Sequence, residues 1–221
     1  MTSRLAALVA RCFLRHQPYT PPATSAILEL PFDGSNGSTT ITDLYGHTVT
    51  VNGSVALSTA QFTGGGSSAR FPGGSGDFLQ IGTDADWAWA TGDGAIEIDI
   101  RPDAVSGVKI LCTNINSATD ESGFYFLLAG AQLQFVYYSN AVAVVGLSGG
   151  TVVAATWQTV RVEKVGTAYT LRIDGAAVAT TTAANSIEPA GPLVFGYDPR
   201  NSGRVFAGYM DRARFFKGGI A

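Results

Sequence analysis

The chain has 221 residues, 46% hydrophobic and only 14% charged, which supplies apolar surface enough for a folded domain and excludes a disordered chain. A formal net charge of −3, with no Lys/Arg cluster in the body of the sequence, argues against nucleic acid as a partner. Two cysteines, Cys12 and Cys112, are too few for a disulfide framework and fit a reducing cytosol, and no apolar run approaches the roughly 18 residues of a membrane span.

Residues 1–26 differ from the rest. Arg4, Arg11 and Arg15 occur with no acidic residue and are followed by the proline-rich stretch HQPYTPPATS. Arg11 interrupts the apolar run LAALVA, so a secretory signal is not expected. Leu5, Leu8, Val9, Cys12 and Phe13 fall at i, i+3, i+4, i+7 and i+8, which predicts one apolar stripe on an amphipathic helix. So short a helix is marginal alone in water and needs a cover. The cover is either its own domain or another subunit, and Pro18, Pro21 and Pro22 form a stiff spacer that favours the latter.

From Ile27 to residue 221 short alternating runs are punctuated by turn dipeptides, the pattern of an antiparallel sandwich without helices. Asn52-Gly53 predicts a hairpin joining the run that ends at Val51 to SVALS. AIEIDIRP alternates Ile96, Ile98 and Ile100 with Glu97, Asp99 and Arg101, and GFYFLLAGAQLQFVYY predicts two strands turning at Ala129-Gly130-Ala131. VRVEK and YTLRI lead to a second hairpin turn at Asp174-Gly175, with Val160, Val162, Leu171 and Ile173 on a buried face and Arg161, Glu163 and Arg172 facing water. LVFGY and RVFAGYMDRARFF complete roughly a dozen strands, which implies two packed layers.

LPFDGSNGSTTITDLYGHTVTVNG, SSARFPGGSGDFLQIG, GDGAIEIDIRP, TWQTVRVEKVGTAYTLRIDGAAVAT and GYMDRARFFKG occur in the order and spacing of a jelly roll. Together they resemble the laminin-G-like, concanavalin-like jelly-roll superfamily over about residues 28–219, in the variety found in bacteriophage tail and other virion proteins. The most specific piece is Trp157 with Val160, Val162, Leu171, Ile173, Asp174-Gly175 and Val178, then Gly208, Tyr209, Asp211 and Arg214.

The superfamily includes glycoside hydrolases, whose signature strand carries Glu-x-Asp-x-Glu or a one-residue-longer form. Here Arg101 and Pro102 stand where the second glutamate would be. A retaining glycosidase needs two carboxyl groups about 5–5.5 Å apart, so no catalytic residues are assigned and Glu97, Asp99 and Arg101 are expected to form a cross-strand charge set on a solvated face. The resemblance also implies a structural Ca²⁺ held by Asp33 and Asp211. The alternative is that Asp33 starts a turn and Asp211 pairs with Arg212 or Arg101. Aromatics on loops at a sandwich edge suit glycan stacking, and the candidates are Trp87 and Trp89 in TDADWAWATG and Tyr197, Asp198, Arg200 and Asn201 in GYDPRNSGR. Both groups also have structural readings, the tryptophans as core plugs and Asp198-Pro199 as a turn.

The sequence is thus expected to encode a non-enzymatic phage virion surface protein, decoration or tail-associated, assembled in the host cytoplasm. Its partners would be other virion structural proteins and its own copies, as a dimer or trimer. A carbohydrate-binding adhesin module recognising a host surface polysaccharide is the alternative.

Overall fold

The computed structural model describes residues 26–89, 92–115, 122–184, 187–188 and 190–218. The helix expected from Leu5, Leu8, Val9, Cys12 and Phe13, with the proline-rich arm, lies outside the described residues.

Fifteen strands are described. They are β1 (Ala26–Leu30), β2 (Val49–Asn52), β3 (Ala56–Ser58), β4 (Ser68–Phe71), β5 (Phe78–Ile81), β6 (Gly94–Pro102), β7 (Val108–Thr113) and β8 (Gly123–Ala129). The rest are β9 (Gln132–Ser139), β10 (Val142–Gly149), β11 (Gln158–Val165), β12 (Ala168–Ile173), β13 (Ala176–Thr182), β14 (Leu193–Phe195) and β15 (Gly208–Lys217). A single 3-10 turn, Ala85–Trp87, is the only helical element among the described residues.

The strands form two antiparallel sheets. An eight-stranded sheet runs β13-β12-β11-β6-β15-β4-β3, with β1 also paired to β15, and a seven-stranded sheet runs β10-β9-β8-β7-β14-β5-β2. The alternation of Ile96, Ile98 and Ile100, matched by Val160, Val162, Leu171, Met210 and Phe215, turns one face of the first sheet inward. Phe124, Phe126, Leu128, Leu133 and Phe135 meet it from the second. Fully burying each such side chain contributes about 1.5–3 kcal/mol, which is why the inward parity of these strands is fixed.

Asp174-Gly175 forms the expected tight turn, both residues at positive φ (51° and 79°), between β12 and β13. Gly130 does the same between β8 and β9. The hairpin expected at Asn52-Gly53 is not formed. β2 pairs with β5 in one sheet and β3 with β4 in the other, so the turn carries the chain from sheet to sheet. The carboxylate of Asp77 holds this corner, accepting from the Ser54 backbone N–H at 2.7 Å. Gly53 sits at φ 64°, and a side chain there would overlap Asp77 and the Gly76 backbone.

β15 contains the feature that shapes the outer face of the larger sheet. Its register against β6 slips between Asp211 and Ala213, and the extra residue, Arg212, adopts φ 49°. Such a bulge re-aims side chains without disturbing the strand's ends. Met210, Ala213 and Phe215 remain in the core, while Asp211 and Arg212 both border a cleft on the outer face of the sheet.

Candidate functional site

That cleft encloses about 750 Å³. Its floor is the outward row of β6, β11, β12 and β15: Glu97 and Asp99, Thr159 and Arg161, Arg172, and Asp211 with Arg212. These charges were expected to meet water. Instead Glu97, Asp99, Arg161 and Glu163 are 2%, 7%, 2% and 5% exposed. They are buried because they satisfy one another across adjacent strands, as buried charges must. Arg161 donates from Nε to Glu163 at 2.9 Å and from Nη1 to Glu97 at 3.2 Å, and its guanidinium lies 5.3 Å over the Phe216 ring. Arg172 donates to the other oxygen of Glu163 at 2.7 Å, and Arg214 pairs with Glu97. Asp99 accepts from the Thr159 hydroxyl at 2.5 Å and pairs with Arg212 at 3.2 Å.

Burial pushes the Asp99 carboxyl above its ordinary value of 3.8; Glu97 and Asp211 add to the rise, while Thr159 and Arg212 oppose it. A raised folded-state value favours the protonated form. The contribution of Asp99 to stability is therefore full below the ordinary value and lost as pH climbs through the raised one. Asn cannot lose a proton but still accepts from Thr159 and Arg212. The melting temperature of Asp99→Asn, relative to wild type, should thus increase between about pH 3 and pH 7. Parallel melting curves across that range would remove this account.

Asp211, expected to bind Ca²⁺ or to pair with Arg212 or Arg101, does something different. Its Oδ2 accepts from the Thr63 backbone N–H at 2.6 Å, the Thr63 hydroxyl at 2.8 Å and the Gly64 N–H at 3.1 Å. It fastens loop 63–65 as one wall of the cleft. Asp33 stands in the same wall against Gly65, where a side chain would coincide with the Asp33 carboxylate. Structure thus brings both aspartates to one cleft. A Ca²⁺ site takes six to eight oxygens; here Oδ2 of Asp211 already accepts from three donors, and among the described residues no group of three or more His, Cys, Asp or Glu side chains is placed to hold a metal.

Trp157 and Gln158 border the opposite side, beside Asp174 and Gly175. Sequence reasoning noted Trp157 only as a family feature; its place before the β11 alternation was the available sign that it stands at a sheet end. Three non-glycine residues with positive φ lie in or next to the cleft: Phe32 (57°), Asp174 (51°) and Arg212 (49°). Strain of this kind persists where surrounding structure over-determines it, and such positions cluster at binding sites.

The residues expected to bind glycans lie elsewhere. Trp87 and Trp89 are 0% and 1% exposed and offer no ring face to a ligand. Trp87 packs on Phe215 and His47 and donates from Nε1 to the Gly82 carbonyl, while Trp89 packs on Tyr169. Of the two readings of DWAW, the structure shows the core plug, beside the 3-10 turn. Tyr197 stacks on Phe78, and Asp198 is fully buried as the anchor of a turn, accepting from the Arg200 backbone N–H at 3.0 Å and the Tyr125 hydroxyl at 3.4 Å and pairing with Arg204 at 3.2 Å. Arg200 and Asn201 are exposed. This turn sits on the seven-stranded sheet, away from the cleft.

Chemically, the cleft presents fixed donors and acceptors of both signs with an indole at the rim, an arrangement suited to hydroxyl groups. Glu97 is already held by the guanidinium groups of Arg161, Arg212 and Arg214, and the Arg101 guanidinium lies 5.9 Å over the Tyr209 ring.

The family model for the concanavalin A-like lectin/glucanases superfamily matches residues 72–219. No curated protein matches the sequence. Among solved structures, the binding domain of botulinum neurotoxin serotype G superposes with a TM-score of 0.70 at 13% identity, covering 89% of this chain and 49% of that one. The binding domain of Paraclostridial Mosquitocidal Protein 1 gives 0.69 at 13%, with coverages of 89% and 49%. The ligand binding domain of botulinum neurotoxin serotype D in complex with N-acetylneuraminic acid gives 0.67 at 14%, with 89% and 48%. The chain spans about half the length of these structures, and at such identities the likeness is one of fold alone.

Proposed function

Because the chain belongs to the concanavalin A-like lectin/glucanases superfamily, we propose that it is a non-catalytic glycan-binding module displayed on a bacteriophage virion. The observation that carries the binding role is the cleft on the eight-stranded sheet: a preorganised floor of paired carboxylates and guanidiniums, with Trp157 at its rim. Glu97 and Asp99 are occupied in holding arginines and Asp211 in holding loop 63–65, which supports recognition without hydrolysis. That the matched solved structures are themselves binding domains, one of them holding a sugar, points the same way. The virion setting rests on the resemblance of the strand motifs to phage proteins and on the Arg- and Pro-rich residues 1–26, which would attach the module to other subunits or to its own copies.

A glycan array probed with the full chain tests the binding role. A bound glycan should be returned intact, and Trp157→Ala should weaken its binding roughly thirtyfold, the effect of losing about 2 kcal/mol at an aromatic anchor. Silence across a broad array, with the protein nonetheless located on intact particles by electron microscopy, would leave a purely structural decoration role in its place.

A further inference from the structure

Beyond the cleft, the outer face of the eight-stranded sheet carries one more row of side chains. Outward positions on a strand recur every second residue, about 7 Å apart, so Arg101 follows Asp99 on β6 and Tyr209 precedes Asp211 on β15. Arg101 pairs in register with Tyr209, and Tyr209 with Arg70 on β4. Both guanidiniums lie over the Tyr209 ring, that of Arg70 4.8 Å and that of Arg101 5.9 Å from its centroid. On the other side of β6, Gln158 pairs with Ile100 and Ala155 donates to the Pro102 carbonyl at 2.7 Å, which carries the backbone at Trp157 past Arg101. Trp157 shares the outward parity of Thr159 and borders the cleft. The row across the sheet is therefore Arg70, Tyr209, Arg101 and Trp157, half-buried throughout.

The charges of this row do not cancel. Arg70 is paired with Asp103 at 2.7 Å, whereas the Arg101 side chain has no ion pair or hydrogen bond among the described residues and meets only the Tyr209 ring. The next carboxylates along the two strands are engaged elsewhere, Asp99 by Thr159 and Arg212, Asp211 by Thr63 and Gly64. A guanidinium held over a ring and lacking an anion is prepared to take a carboxylate in a two-pronged pair. We infer that the cleft and this row together bind an acidic saccharide, with a sugar ring on Trp157 and its carboxylate on Arg101. The cleft itself is bordered by Glu29 and Asp33, which repel an acid. The neutral part of the glycan therefore lies in the cleft and the acidic sugar at the Arg101 side of Trp157, which fixes the direction in which the glycan runs. The inference rests on the cleft being the saccharide site and adds the class of sugar and the residue that selects it.

The test is a calorimetric titration of the full chain with tetrasaccharides of hyaluronan, alginate and polygalacturonate, each beside its carboxyl-reduced counterpart, and with an aspartate-rich peptide. At least one acid should bind about tenfold more tightly than its reduced form, the effect of one charge-assisted pair, and added salt should narrow the gap. Arg101→Gln should remove the preference and Arg101→Lys should keep part of it. Trp157→Ala should weaken both members of the pair, and Arg204→Gln, on the other sheet, should leave the preference intact. If Arg101→Gln perturbs the sheet, the salt dependence of the unaltered chain and the lysine variant still decide. Equal binding of acid and reduced form, binding of none of the acids, a full preference in folded Arg101→Gln, or a peptide bound as tightly as the acid would each overturn the inference. A neutral glycan found on an array and lost on Trp157→Ala, with no acid preferred, overturns this inference while leaving the proposed function standing; silence of the array as well overturns both.

Discussion

Arg161→Ala is expected to destabilise the domain by about 3–5 kcal/mol, because it removes the one buried guanidinium that bridges Glu97 and Glu163 and leaves Glu97 with only its outer arginines, Arg212 and Arg214, and Glu163 with only Arg172. Arg161 lies between Glu97 on β6 and Glu163 on its own strand, all three almost wholly buried. Its loss exposes no polar partner to water; it leaves two carboxylates in a site built around a guanidinium. For a chain of this length the melting temperature should fall by roughly 6–20 °C. Salt should change this little, since a buried pair is poorly screened. Arg161→Lys retains the charge but not the fork that serves both glutamates, and should fall between the two. A double-mutant cycle with Glu97→Gln should give a coupling of about 0.5–3 kcal/mol. A melting point within 2–3 °C of wild type for the alanine variant would mean that Arg172, Arg212, Arg214 and water suffice to compensate these carboxylates without Arg161.

The same network marks the limit of what the sequence made legible. Strict alternation of Ile and Val with charge identified the strands around Ile98, Val160 and Leu171, and Asp174-Gly175 identified their connection, because period-two burial and positive-φ turns are local properties. The jelly-roll class followed from the order of these local signals, and the family match and the two antiparallel sheets agree with it. Which sheet a strand joins is not local. Asn52-Gly53 has hairpin chemistry, yet the core claims Val51 for one sheet and Leu57 for the other. Nor does alternation distinguish a charge that faces water from one that faces another charge. Glu97, Arg161 and Glu163 were placed on the correct face and given the wrong environment, because the bulge at Arg212 and the loops over the floor are set by distant parts of the chain. The cleft's bordering residues come from β1, loop 63–65, the segment before β11 and the β12–β13 turn, a convergence that sequence order conceals. Asp33 and Asp211 were singled out and do meet at this cleft, though Asp211 serves as an acceptor for backbone N–H groups.

Trp87→Ala should be as damaging as Arg161→Ala, and its failure mode separates core from binding site. Trp87 has no exposed surface, stands edge-on to Phe215 with ring centroids 5.8 Å apart, and lies 4.9 Å from His47, which is itself fixed to Asp43 at 2.7 Å. Removing an indole from a fully packed position forfeits its transfer energy and leaves a cavity that the sheets, anchored on both sides, can close only in part. The cost is about 3–5 kcal/mol, a fall in melting temperature of roughly 6–20 °C. Trp87→Phe should restore much of it, lacking mainly the hydrogen bond from Nε1 to the Gly82 carbonyl, worth about 0.5–1.5 kcal/mol. If the indole were a sugar-stacking residue, the alanine variant would melt normally and lose only binding. Calorimetry and glycan titration on the same preparation distinguish the two: a core role requires lost stability at Trp87 with binding retained in whatever fraction stays folded, whereas Trp157→Ala should show normal melting and weakened binding. An exchange of those two phenotypes would place the recognition surface at the 3-10 turn and not in the cleft.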